Sequence, residues 1–235
     1  MGFFDFITSI PPYSENAASN VRLNKRHQMI VAPFRGQLQG ARVLDLAAHD
    51  GRWSYALAEA GAAEVIGIEA RQELVDRFDN FPESEFKDRV ELRQGDLFEA
   101  LEEFIETGDT FDVVALYGIY YHIMDHFRVL QLIRKLGAGV ILIDSEFALR
   151  PGPIIELVFE RTDDALNAAP QYHGQDRAII GIPSFKAMES MAHALDYDVV
   201  WTRTKRVFGD DTKGIQDYFR PKIKRRAFCT LIKRS

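Results

Sequence analysis

Val43-Leu44-Asp45-Leu46-Ala47-Ala48-His49-Asp50-Gly51-Arg52-Trp53 is an apolar run that ends in an acid, passes through small residues to a glycine, and opens into a helical pattern. Strand, tight turn and helix in that order make a turn over which a ligand can lie close to backbone, because a helix start offers unpaired amide donors. Ala47, Ala48 and Gly51 keep that approach open. Many α/β proteins have a tight first turn of this kind, so the stretch gains meaning only from its surroundings.

Four more short β-branched or apolar runs follow or flank it, at 64–70, 90–96, 111–118 and 139–144, after the first at 42–47. Between them, 52–60, 71–79, 98–106 and 126–136 carry apolar residues at helical spacing, as in Leu97, Leu101, Phe104 and Ile105. Strands alternating with helices predict βαβ units and a parallel sheet covered on both faces. The expected class is α/β with a single doubly wound, mostly parallel sheet. Residues 147–183 change rhythm, with Pro151, Pro153, Pro170 and Pro183 and no full-length helical pattern, and read as a lid or substrate insertion. Ser184 is a candidate N-cap before a helix at 185–195, and 197–202 and 227–233 read as two closing strands, an antiparallel pair at one edge. The expected organisation is a cap segment at 1–40, a ligand-binding core at 41–146, the insertion at 147–183, and a closing helix and strands at 184–235.

The 235 residues, 46% of them hydrophobic and 27% charged, suit one sizeable core. A formal net charge of -6 opposes a surface committed throughout to phosphate or anionic lipid. The exception is the basic stretch Lys222, Lys224, Arg225, Arg226, Lys233 and Arg234, read as a solvated strand edge or tail. The single cysteine, Cys229, rules out an internal disulfide and suits a reducing cytoplasm. No run approaches the roughly twenty apolar residues of a membrane span, so no membrane partner is expected.

Two further acids raise the value of the first turn. Glu69 ends the second run, about twenty residues on, where a carboxylate can accept both ribose hydroxyls of a nucleoside. Asp96 ends the third, placed to accept from the exocyclic amine of a base. In a parallel sheet Asp45, Glu69 and Asp96 emerge together at the carboxyl ends of adjacent strands, where such sheets bind ligands. Each alone is more simply a helix cap or a strand-end turn; three in register favour a site.

From these residues the chain resembles the class I S-adenosylmethionine-dependent methyltransferase family over roughly 42–146. The family's first motif continues an apolar strand and an acid into Gly-x-Gly-x-Gly; here the first two glycine positions hold Ala47 and His49, and Gly51 remains. That departure disfavours a nicotinamide dinucleotide, whose pyrophosphate needs the glycines. The resemblance implies a seven-stranded Rossmann-like sheet and S-adenosylmethionine as cofactor. It implies that Asp45 and Gly51 border the methionine part, that Glu69 holds the ribose, that Asp96 and Leu97 frame the adenine, that Tyr117 lies near the methionine end, and that Ala47 and Ala70 also belong to the cofactor site. The run Leu116-Tyr117-Gly118-Ile119-Tyr120-Tyr121-His122 is similar to segments of wobble-uridine transfer-RNA methyltransferases and of bacterial sugar and natural-product O-methyltransferases.

His122, at a strand end, is placed to take a proton from a hydroxyl as a neutral imidazole; it can equally pack and cap the next helix. Asp144 and Glu146 stand two apart on one side of an extended strand and can orient a hydroxyl or share a divalent ion, with Asp144 the second candidate base. No histidine nearby completes a metal set, so no metal is expected. Arg26, in Arg22-Leu23-Asn24-Lys25-Arg26-His27, either meets the cofactor's carboxylate or lies on a solvent-facing helix whose apolar side is Val21, Met29, Ile30 and Phe34. His49 can touch ligand from the first turn.

The expected activity is methylation of a hydroxyl on a small molecule or sugar, since an acidic chain with Tyr117, Tyr120 and Tyr121 beside a Pro-rich insertion suits an enclosed pocket. Transfer RNA is the second acceptor considered, on the Tyr-His segment and the basic stretch. A regulatory protein that binds the cofactor without chemistry is a third reading, supported by the altered glycine turn.

Overall fold

A computed structural model describes residues 2–15, 17–164, 166–170 and 172–234. The strands are β1 (Arg42–Leu46), β2 (Glu64–Glu69), β3 (Val90–Gln94), β4 (Val113–Tyr117), β5 (Val140–Ala148), β6 (Ile155–Arg161), β7 (Arg177–Pro183), β8 (Tyr197–Trp201) and β9 (Lys224–Lys233). The helices are α1 (Ala17–Ile30), α2 (Arg35–Leu38), α3 (Arg52–Glu59), α4 (Gln72–Val75), α5 (Leu97–Thr107), α6 (His126–Lys135), α7 (Phe185–Ala194) and α8 (Thr204–Phe208).

Seven strands form one sheet in the order β3-β2-β1-β4-β5-β9-β8. The first five are parallel, and β9 runs antiparallel between β5 and β8. Strand order therefore reverses between β1 and β4, which opens a crevice at their carboxyl ends. Alternate side chains of each strand feed two layers. Val43, Val65, Val113, Ala115 and Phe228 pack with α1, α3 and the N-terminal turns, whereas Leu44, Ile66, Val114, Leu116, Ile141 and Cys229 pack with α5, α6 and α7. That alternation is what a strand's period of two dictates when both faces are covered.

The local signals act where the sequence places them. The Asp96 carboxylate accepts from the backbone N–H of Phe98 at 2.8 Å and of Glu99 at 3.2 Å, starting α5, and the Ser184 hydroxyl accepts from Ala187 N–H at 3.0 Å, starting α7. The stretch expected as an insertion holds strands of its own. It is an antiparallel hairpin, β6 against β7, whose pattern is hard to read because its outward residues Leu157, Phe159 and Ile179 are apolar and exposed. Its inner face buries Ala178, Ile180 and Ile182, and Gly181 joins it to the end of β4's loop, donating to Ile123 O at 3.0 Å while its own carbonyl accepts from His126 Nε2 at 2.9 Å. A Cβ on Gly181 would stand 2.6 Å from the His126 ring, so the close approach requires glycine.

Candidate active site

The turn after β1 holds its three alternate positions, Ala47, His49 and Gly51, at φ of 58°, 57° and 76°. The backbone thus keeps the left-handed conformation that glycine favours, although only Gly51 is glycine. Gly51 is tightly enclosed as well: a Cβ there would meet Phe78 Cδ2 at 2.5 Å and Leu92 Cδ1 at 2.8 Å. His49 is braced in its conformation by neighbours, since Arg52 Nη2 lies 2.5 Å from its Nδ1 and Arg52 Nε donates to Asp50 at 2.6 Å. Asp50 also accepts from the Tyr13 hydroxyl, and although burial opposes its charge, Arg52, His49 and Tyr13 hold the carboxyl well below the usual range.

A cavity of about 1050 Å³ opens over this turn. Of the residues expected to bind cofactor, Ala47, Glu69, Ala70, Asp96, Leu97, Tyr117 and Arg26 line it, and so do His49 and His122. The sheet brings them together by register, with Glu69 opposite Gln94 and Tyr117 opposite Asp144. Glu69 is buried and uses both oxygens, accepting from His49 N–H at 2.9 Å and Arg71 N–H at 3.1 Å. It therefore ties the first turn to the end of β2. Asp96 is exposed and caps α5 through Oδ1 alone, which leaves Oδ2 to the cavity. Tyr117 contributes its ring, since its hydroxyl donates to Ile30 O at 2.8 Å.

Three expected site residues lie behind the wall. Asp45 is buried below the turn, where Ser54 Oγ donates to it at 2.7 Å; burial raises its carboxyl to about 7 despite that bond, and the charge of Glu69 adds to the rise. It positions α3 from beneath the turn and does not itself line the cavity. Gly51 likewise packs under Phe78 and Leu92. Asp144 is the larger correction. Its carboxylate accepts from Arg26 Nε at 2.8 Å, Arg226 Nε at 3.0 Å and the Tyr218 hydroxyl at 2.7 Å, with no exposure at all. Burial opposes the charge, but Arg226, Arg26 and Tyr218 outweigh it and lower the carboxyl's pKa. A carboxylate so committed cannot take a substrate proton. No group of three or more His, Cys, Asp or Glu among the described residues is arranged to hold a metal ion.

Residues that sequence reasoning missed complete the site. Arg226, read as part of a solvated basic tail, is buried on Asp144, and Lys224 and Arg220 pair with Glu146. Glu160 accepts from His122 at Nδ1, 2.6 Å away, and Arg71 reaches into the loop after β6. The signal for Arg226 was its alternation with Arg225 along a strand; for Glu160 it was an acid alternating with the outward Phe159, which places it on the inner face opposite Ala178.

A family model described as a methyltransferase domain matches residues 37–177. The chain belongs to the methyltransferase-domain family. A Methanocaldococcus jannaschii protein named "Putative ribosomal RNA large subunit methyltransferase" is 38% identical to this family member over 84 residues, 33% of this chain and 20% of that one. The chain thus spans about a fifth of the length of that curated relative. Among solved structures, the N-terminal domain of EvdMO1 in the presence of SAH and D-fucose aligns with a TM-score of 0.65 at 17% identity, covering 86% of this chain and 80% of that one. Magnesium protoporphyrin IX methyltransferase from Synechocystis PCC 6803 with bound SAM aligns at 0.55 and 13% identity, covering 93% and 85%. At such identities the likeness is one of fold.

The cavity residues of this methyltransferase-family chain fit an S-adenosyl ligand. Arg26 is nine-tenths buried at the cavity wall, and its Nη2, 2.6 Å from Asp144 but off the line of a hydrogen bond, has no aligned acceptor among the described residues. A ligand carboxylate would supply one.

Proposed function

We propose that this chain is an S-adenosylmethionine-dependent methyltransferase whose acceptor is a hydroxyl on a neutral small molecule or sugar. The observation that carries the reading is one continuous cavity that joins Ala47, Glu69 and Asp96 to His122 beneath the β6–β7 hairpin. Glu69 and Asp96 would hold ribose and adenine, Arg26 the carboxylate, and Tyr117 the wall beside the methionine chain. The bound cofactor supplies an electrophilic methyl group. His122 is buried at the far end, and with Nδ1–H directed to Glu160 its Nε2 is the basic nitrogen that takes the hydroxyl proton. Alignment and exclusion of water do the rest, since attack on an activated methyl needs little more than a positioned nucleophile.

Charge placement supports a neutral acceptor over RNA. Apart from Arg26, the guanidiniums at the cavity are committed: Arg22 to Asp217, Arg226 to Asp144, Arg52 to Asp50, and Arg71 to loop carbonyls. Phosphate binding needs uncommitted cations, and the basic stretch spends Lys224 and Arg226 on internal acids. The acceptor end is instead lined by Ile119, Ile123, Met124, Ala178 and Ile179.

Calorimetry with S-adenosylmethionine and its demethylated product tests the cofactor, and labelled methyl transfer to phenols, sugars and RNA transcripts tests the acceptor. One site is expected, weakened at least about tenfold in Glu69→Ala because charge-assisted bonds of about 1.5 to 3 kcal/mol each are lost. Absence of binding by both ligands refutes the reading, and methyl transfer confined to RNA refutes the acceptor class.

A further inference from the structure

We propose that Glu160 is the positioning residue of this site, setting the tautomer of His122 only while Thr162, Asp164, Asn167 and Ala168 are gathered on Arg71. The proposal rests on the reading of His122 as proton acceptor.

One oxygen, Glu160 Oε2, receives two donors: His122 Nδ1 at 2.6 Å and the backbone N–H of Ala168 at 2.9 Å. A neutral imidazole whose Nδ1 faces a carboxylate oxygen at that distance carries its proton there, because two lone pairs would otherwise oppose each other. The lone pair is then left on Nε2. The ring is also held by Tyr121, whose centroid lies 3.9 Å away. Glu160 sits on β6 of the two-stranded hairpin, whereas His122 lies in the loop between β4 and α6, so base and orienting group belong to separate elements.

Arg71 links these elements to the cofactor side. It follows Glu69 and Ala70 at the end of β2, and its Nη2 reaches the carbonyls of Thr162, Asp164, Asn167 and Ala168 at 3.2 to 3.5 Å. A guanidinium gathered by several carbonyls fixes their mutual arrangement, and Ala168 donates from the same loop to Glu160. The loop thus bridges the ribose-side strand end and the base. Seating it completes the geometry at His122.

The test reads the imidazole itself and needs no acceptor. Long-range nitrogen–proton NMR assigns the tautomer of His122 in the wild type, Glu160→Ala, Glu160→Gln and Arg71→Ala, while hydrogen exchange follows the Ala168 amide. The wild type is expected as the Nδ1–H form. Glu160→Ala should move the ring toward Nε2–H and speed Ala168 exchange about tenfold, and Glu160→Gln, which keeps an acceptor oxygen, should restore both. Arg71→Ala, which removes a side chain whose hydrogen bonds run to Thr162, Asp164, Asn167 and Ala168, should shift the tautomer in the same direction. An unchanged ring in folded Glu160→Ala overturns the positioning role; an unchanged ring in Arg71→Ala, with the loop's exchange accelerated, overturns the coupling. Loss of S-adenosyl ligand binding by the wild type would instead refute the proposed function, and the tautomer result is independent of it.

Discussion

Asp144→Ala should unfold the site rather than disable a base. The carboxylate is fully buried, and it satisfies Arg26, Arg226 and Tyr218 at 2.7 to 3.0 Å. Removing it strands two guanidiniums in the interior, and each is itself nine-tenths buried or more. Breaking one buried pair costs about 3 to 5 kcal/mol, and here two cations lose the same partner, so the upper part of that range is expected. That is a large share of the roughly 5 to 15 kcal/mol that stabilises an ordinary domain. Asp144→Asn keeps one acceptor oxygen and should lose less. The carboxyl's pKa is lowered in the folded protein, so its contribution is fully present above the ordinary value of 3.8 and disappears as pH falls through the lower folded value. Urea unfolding followed by circular dichroism at neutral pH measures the loss directly. A folded Asp144→Ala within about 1 kcal/mol of the wild type would refute the pairing argument, because surface substitutions behave that way and broken buried ion pairs do not.

Gly51→Ala should cost about 2 to 4 kcal/mol in urea unfolding, since it combines left-handed backbone with a clash against Phe78 and Leu92; a neutral result would mean the turn can relax. His27 is stacked on Phe3, its Nε2 has no hydrogen-bond partner among the described residues, and burial lowers it to about 4 from 6.5. Its effect is absent above 6.5 and grows as pH falls toward 4, because the unfolded chain takes a proton that the folded one refuses. Between about pH 7.5 and about pH 4.5 the wild type should therefore lose about 2 kcal/mol more than His27→Phe, allowing for screening, and equal losses would show that the ring titrates freely.

The alternation of β-branched runs with amphipathic stretches determined the doubly wound sheet, because period two and period 3.6 cannot be satisfied by the same element. The strand-end acids were legible for a similar reason: parallel strands all deliver their carboxyl ends to one edge, so Glu69 and Asp96 had to arrive beside the Ala47 turn. Roles at that edge were not legible in the same way. Asp45 and Asp144 look like Glu69 and Asp96 in sequence, yet the first supports Ser54 from below and the second neutralises Arg26 and Arg226, a pairing made across 118 and 82 residues of chain. Glu160 became His122's partner only because a hairpin outside the main sheet folds back over the crevice. Local pattern decides which residues reach an edge or a core, since backbone geometry is local; which charges meet there is decided by chain segments that become neighbours only on folding, and for this protein that means β6, β9 and α1.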